Sequence, residues 1–137
     1  MPRVTIHRKA HFNAAHRLYK KEWSDEKNLE IFGKCSNPNY HGHNYELVVS
    51  VTGEVDKETG FVMDLAILRK LIRSEIEDAF DHKNLNLEVD EFKDTNPTAE
   101  NISIVIYNKL RKKIIENLDL SIKLYETPRN FVTYSGE

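Results

Sequence analysis

From Arg3 to about His16 apolar residues recur at even spacing, Val4, Ile6, Phe12 and Ala14, with charged residues interleaved. That period predicts a strand buried on one face. It returns in Tyr45, Leu47, Val49 and Val51, alternating with Glu46, Ser50 and Thr52, and the same parity runs back to His41 and His43. The two histidines therefore cap the apolar face of a second half-buried strand. Between the strands lies a polar stretch, Arg17 to Tyr40, longer than a compact domain tolerates without a functional reason. Within it Ser24 predicts the N-cap of a short helix through Leu29 and Ile31, ended by Gly33.

Asp56-Lys57-Glu58-Thr59-Gly60 reads as a turn, and Phe61-Val62-Met63 as a brief return to extended structure. Asp64 then caps a helix running to about Phe80, with Leu65, Leu68, Ile72, Ile76 and Ala79 on one stripe. A polar loop follows from Asp81 to Asn96, closed by Pro97. Thr98 caps a second helix whose stripe is Ile102, Val105, Ile106, Leu110 and Ile114, and Glu100 suits the positive end of its dipole. Two short strands complete the chain, Ser121 to Glu126 and Asn130 to Ser135, around the turn Thr127-Pro128-Arg129. The main order is ββααββ, which implies an α+β fold with an antiparallel sheet and segregated helices.

Composition narrows the class. The 137 residues suit one domain, residues 1–137, large enough to bury a core without staples. A charged fraction of 31% and the lack of any long apolar run predict a soluble protein, and the N-terminus lacks a secretory signal core, so a cytoplasmic location is expected. One cysteine excludes an intramolecular disulfide, and a net charge of −2 provides no electrostatic footprint for nucleic acid. Locally, Arg17, Lys20, Lys21, Lys27 and Lys34 crowd between His16 and His41, as a solvated loop or as a landing surface for an anionic substrate.

The candidate chemistry centres on Cys35-x5-His41-Gly42-His43. On a strand His41 and His43 point to one face, while Gly42 points away and removes bulk. Two imidazoles need at least a third protein ligand to make a functional zinc site. The other histidines are His7, His11, His16 and His82, and His16 is the best candidate because it closes an apolar segment able to run antiparallel to the second strand. Three imidazoles leave the fourth tetrahedral position open, the catalytic arrangement, although Cys35 could fill it and close the site. Glu126 ends the row Ile122, Leu124, where a carboxylate is either a solvated strand end or a partner for two parallel N–H donors. Asp81-His82 is either a helix-end feature or an acid–base pair.

Taken together, Phe12-Asn13-Ala14-Ala15-His16-Arg17-Leu18, the Cys35 to Asn44 block, Asp81-His82-Lys83-Asn84-Leu85, Thr98-Ala99-Glu100-Asn101 and Tyr125-Glu126-Thr127 resemble the 6-pyruvoyl-tetrahydropterin synthase family nearly end to end. The resemblance implies that His16, His41 and His43 bind Zn2+, that Cys35 is the general base, and that Asp81 and His82 complete a proton relay. It also implies that Glu126 grips the pterin, helped by Thr98 and Glu100. The substrate would be 7,8-dihydroneopterin triphosphate. The thiol, beside a cation and imidazoles, is expected to have a lowered pKa. The implied tunnelling fold is a four-stranded antiparallel sheet with two helices on one face, closing into a barrel as trimers that pair to hexamers. Asn13, Ala14 and Ala99 depart from the serines and second threonine common in the family. The alternatives are the related 6-carboxy-tetrahydropterin synthases and, in another class, a non-catalytic zinc-stabilised interaction domain.

Overall fold

The computed structural model describes residues 2–137. Two strands of 14 residues each, β1 (Arg3–His16) and β2 (His41–Glu54), pair antiparallel without interruption from Arg3↔Glu54 to His16↔His41. On the far side of β2 come β4 (Asp119–Tyr125) and then β5 (Phe131–Tyr134), both antiparallel to their neighbours. Phe12, Ala14, Tyr45, Leu47, Val49, Val51, Leu120, Ile122 and Leu124 share one buried face. The opposite face is polar, with Thr5 on Thr52 at 2.7 Å, His7 on Ser50 at 2.7 Å and Asn13 on Asn44 at 2.6 Å.

The expected four-stranded antiparallel sheet is corrected to a five-stranded mixed one, in which β3 (Lys83–Asn84) lies outside β1 and the order is β3-β1-β2-β4-β5. This fifth strand pairs parallel to β1 at Ala14 and Ala15. It lies in the segment expected to be a loop, too short to show a period of its own. That segment also holds α4 (Leu85–Glu88) and buries Leu85, Val89 and Phe92. Phe61-Val62-Met63, expected to be extended, forms no strand and bends into the next helix cap.

All three expected N-caps are made. The Ser24 hydroxyl accepts from Lys27 N at 3.1 Å before α1 (Asp25–Phe32), Asp64 accepts from Ala66 N at 2.8 Å before α2 (Leu65–Ile72), and Thr98 accepts from Asn101 N at 3.1 Å before α5 (Ala99–Arg111). From α2 the helix continues through a π-helical turn, Arg73–Glu77, into α3 (Asp78–Phe80). The reason is visible in the burial. Leu68, Ile72, Ile76 and Phe80 are all buried at four-residue spacing, which drifts by about 40° per step on a 3.6-residue helix. One wider turn brings the row back over the sheet. Leu65, assigned to the stripe, is exposed instead.

The short helix α1 runs from its Ser24 cap to Gly33 as expected. Leu29 and Ile31 face outward, whereas Asn28 is buried and binds Lys20 N at 2.8 Å and Lys20 O at 3.0 Å. Among the described residues no helix is long and apolar enough to cross a membrane.

Candidate functional site

The end of the β1–β2 ladder places three imidazoles together. His16 and His41 are its last pair, and His43 lies opposite Ala14 on the same buried face. Ring centroids are 4.5 Å apart for His16 and His41, 5.0 Å for His16 and His43, and 4.9 Å for His41 and His43. One nitrogen from each ring lies within 4.8 Å of the others. Gly42 between them faces the opposite side of the sheet, where a Cβ would meet only the Ala14 carbonyl at 3.6 Å.

His16 is wholly buried and its Nδ1 donates to the Pro97 carbonyl at 2.7 Å, with the Tyr45 hydroxyl 3.3 Å from the same nitrogen. That bond fixes the tautomer and leaves the Nε2 lone pair facing the other rings. Burial pushes the His16 pKa down to about 4, against a raising hydrogen bond from Pro97 and with help from His41 and His43. Burial and then His43 also lower His41. Neutral imidazoles are the ligand form. His16 Nε2, both His41 nitrogens and His43 Nε2 are buried without a protein hydrogen-bond partner. Such orphans are expensive unless something else satisfies them, so this donor set fits a divalent ion bound by three nitrogens.

Of the other expected residues, Glu126 stands beside the triad and Cys35 lies outside the nitrogen cluster. Glu126 follows the end of β4, and its Oε2 lies 3.9 Å from His16 Nε2. With His16 neutral this is a carboxylate beside the triad, not an ion pair. Its main chain is fixed by Glu126 N donating to Asn130 O at 3.0 Å. Cys35 sits half-buried in the 3-10 turn Gly33–Ser36 that follows α1. Its thiol does not belong to the nitrogen cluster, which favours the open site over the closed one. Burial, and then the charge of Glu126, push the Cys35 thiol up. The neutral His16 and His41 supply no charge to offset this, and the expected lowering depends on a cation held by the three rings. The same causes, with burial first, raise the Tyr45 phenol and keep it protonated.

Asp81 and His82 lie elsewhere in the chain. They leave α3 at the outer edge of β1, where Asp81 Oδ1 accepts from Asn13 N at 2.8 Å and His82 N donates to Asn13 O at 2.6 Å. The His82 Nδ1 is 2.9 Å from Asp81 Oδ2, and the carboxyl is held below its usual range chiefly by the Asn13 amide. The titratable groups acting on it are His82 and His11, not the triad. Thr98, half-buried, caps α5 directly after the Pro97 carbonyl that holds His16, and Glu100 is exposed in the first turn. The sequence reading missed Tyr45 and Pro97 as orienting groups. Tyr45 carried the parity of the ligands and was read as core. A backbone carbonyl leaves no side-chain signal at all.

The family model described as 6-pyruvoyl tetrahydropterin synthase matches residues 5–137. The 6-pyruvoyl tetrahydrobiopterin synthases of Pongo abelii and Homo sapiens are 49% and 48% identical over 132 residues, which is 96% of this chain and 91% of each relative. The solved structure of Caenorhabditis elegans 6-pyruvoyl tetrahydropterin synthase superposes with a TM-score of 0.92 at 46% identity, over 100% of this chain and 98% of that one. With a match spanning almost every residue, and relatives this similar over nearly their whole lengths, the chain belongs to the 6-pyruvoyl tetrahydropterin synthase family.

Proposed function

We propose that the protein is a zinc-dependent 6-pyruvoyl-tetrahydropterin synthase, converting 7,8-dihydroneopterin triphosphate to 6-pyruvoyl-tetrahydropterin and triphosphate in tetrahydrobiopterin biosynthesis. The observation that carries the reading is the group of unpartnered imidazole nitrogens with the Glu126 carboxylate 3.9 Å from His16. His16, His41 and His43 would hold Zn2+, which when bound supplies Lewis-acid polarisation of the side-chain hydroxyls. Glu126 accepts from the amino-pyrimidine edge of the pterin through two parallel hydrogen bonds, and Thr98 and Glu100 at the start of α5 close the ring pocket. Cys35 takes the carbon-bound proton as general base, and a cation held by the neighbouring imidazoles would favour its thiolate against the raising effects of burial and Glu126. Asp81 orients His82 through the 2.9 Å contact and the imidazole moves the proton onward. No external oxidant enters, since the side chain is oxidised as the ring is reduced and triphosphate leaves.

Because Asp81 and His82 stand at the β1 edge, we assign them to the site of a neighbouring subunit. β3 covers β1 only at Ala14 and Ala15, and β5 ends the sheet on the other side. Open edges of this kind favour association, here as trimers closing a barrel and pairing to hexamers in the cytoplasm. A monomer in sedimentation at micromolar concentration would refute the assembly. Metal analysis with product identification on purified protein tests the chemistry: stoichiometric zinc and a pyruvoyl pterin are expected. A carboxylated pterin with released acetaldehyde, or no turnover, would overturn it.

A further inference from the structure

The segment just after His16 is tied to the turn carrying Cys35 by two consecutive residues. Arg17 Nε donates to the Ser36 carbonyl at 2.7 Å, and Leu18 N donates to the Cys35 carbonyl at 2.8 Å. Within the turn, the buried Ser36 returns its hydroxyl to Gly33 O at 2.8 Å. On its other side Arg17 is gripped by Asn86, whose Oδ1 accepts from Arg17 N at 2.8 Å and whose Nδ2 donates to Arg17 O at 2.9 Å. That side chain prolongs the parallel pairing of β3 with β1 past its last backbone rung. The guanidinium lies 3.8 Å over the Tyr19 ring. Among the described residues none of the ion pairs involves Arg17. A half-buried planar cation with no acidic partner is held here by its fork geometry and stacking.

We propose that Arg17 is a positioning residue: its guanidinium fixes the Cys35 turn against the strand end that presents His16, so that the thiol and the metal-binding rings keep one geometry. This rests on the reading of Cys35 as the base. The backbone bond from Leu18 sets the height of the turn, and the Arg17 bond prevents it from pivoting about that single point. A pivot would displace the sulphur from the carbon whose proton it takes.

The test compares Arg17→Gln and Arg17→Lys with the parent, each purified with its metal. Turnover of dihydroneopterin triphosphate, zinc per chain and the rate of alkylation of Cys35 by iodoacetamide are measured, the thiol being the only one in the chain. Both variants are expected to keep their zinc and to lose roughly 10- to 100-fold in kcat, the scale of a misplaced catalytic group. KM is expected to stay within about twofold, since ground-state binding is untouched. Cys35 is expected to alkylate faster in both, because a loosened turn exposes the half-buried sulphur. Recovery of kcat in Arg17→Lys, or a raised KM with alkylation at the parent rate, would assign the residue to charge on the substrate and overturn the proposal. Alkylation needs no substrate, so a parent enzyme without turnover defeats the functional reading while the alkylation contrast still decides this one. If the Arg17 variants do not fold, Tyr19→Leu removes only the ring under the guanidinium. It is expected to accelerate alkylation, and a rate equal to the parent's overturns the proposal.

Discussion

Removing one oxygen from the core tests how the His16 ring is held. Tyr45 is fully buried and stacks on Phe12 with ring centroids 4.9 Å apart at 17°, so Tyr45→Phe keeps the packing. It deletes only the hydroxyl 3.3 Å from His16 Nδ1, whereas Pro97 O accepts from that nitrogen at 2.7 Å. The carbonyl contact sits in the favourable distance range and the phenol contact lies beyond it. Losing an outer partner of a metal-binding histidine generally lowers affinity by about 10- to 100-fold. The longer contact places this variant at the lower end, about tenfold or about 1.4 kcal/mol. The metal-free protein is expected to change by no more than about 1 kcal/mol, the net worth of one hydrogen bond. Competition for zinc with a chromophoric chelator measures the first quantity, and urea unfolding of the metal-free protein measures the second. An affinity within about twofold of the parent, or a loss of about 100-fold or more, would refute this ranking of the two partners.

Cys35→Ala is expected to retain zinc at the parent stoichiometry and to lose turnover, because the sulphur lies outside the nitrogen cluster; metal analysis showing loss of the ion would instead indicate a closed structural site. Asp81 has its folded pKa depressed mainly by the Asn13 amide, so its contribution to stability is present above the unfolded carboxyl pKa and disappears as pH falls through the lower folded value. Urea midpoints of the parent and Asp81→Ala should therefore differ near neutrality and converge in strong acid, and a gap that persists there would contradict the assignment. Gly53→Ala would drive a Cβ into Leu118 Cδ2, a side-chain end that can move, so a loss of about 1–3 kcal/mol in thermal or urea unfolding is expected. A variant as stable as the parent would show that Leu118 yields freely.

Strands β1 and β2 were legible because apolar residues recur at even positions of β1, with Arg8 the exception, and at odd positions of β2, and the parity carried His16, His41 and His43 onto one face with Phe12 and Tyr45. The caps were legible because Asp64 and Thr98 each precede an apolar period and Ser24 precedes the helix ended by Gly33. What failed was local information overruled by distant contacts. Lys83–Asn84 is a strand only because the edge of β1 at Ala14 and Ala15 is open to it. Asn28 is buried because it closes hydrogen bonds at Lys20 and Trp23, which no helical period encodes. Adjacency in sequence also misled in one respect. Asp81 and His82 do pair, yet the chain that places His16 in the cluster carries them to the outer edge of its own strand.

The ladder joining β1 to β2 terminates at the His16–His41 rung. Terminal rungs are where paired strands open first, so the groups requiring the tightest placement occupy the position a bare hairpin would hold most loosely. Lateral ties gather at this spot: the Pro97 carbonyl, the Asn86 amide and the Leu18 bond to Cys35. An ion clasping the three rings would then act as a rivet against fraying, and amide exchange at Ala15 and Gly42 would slow on loading while the far end at Arg3 and Glu54 would not notice.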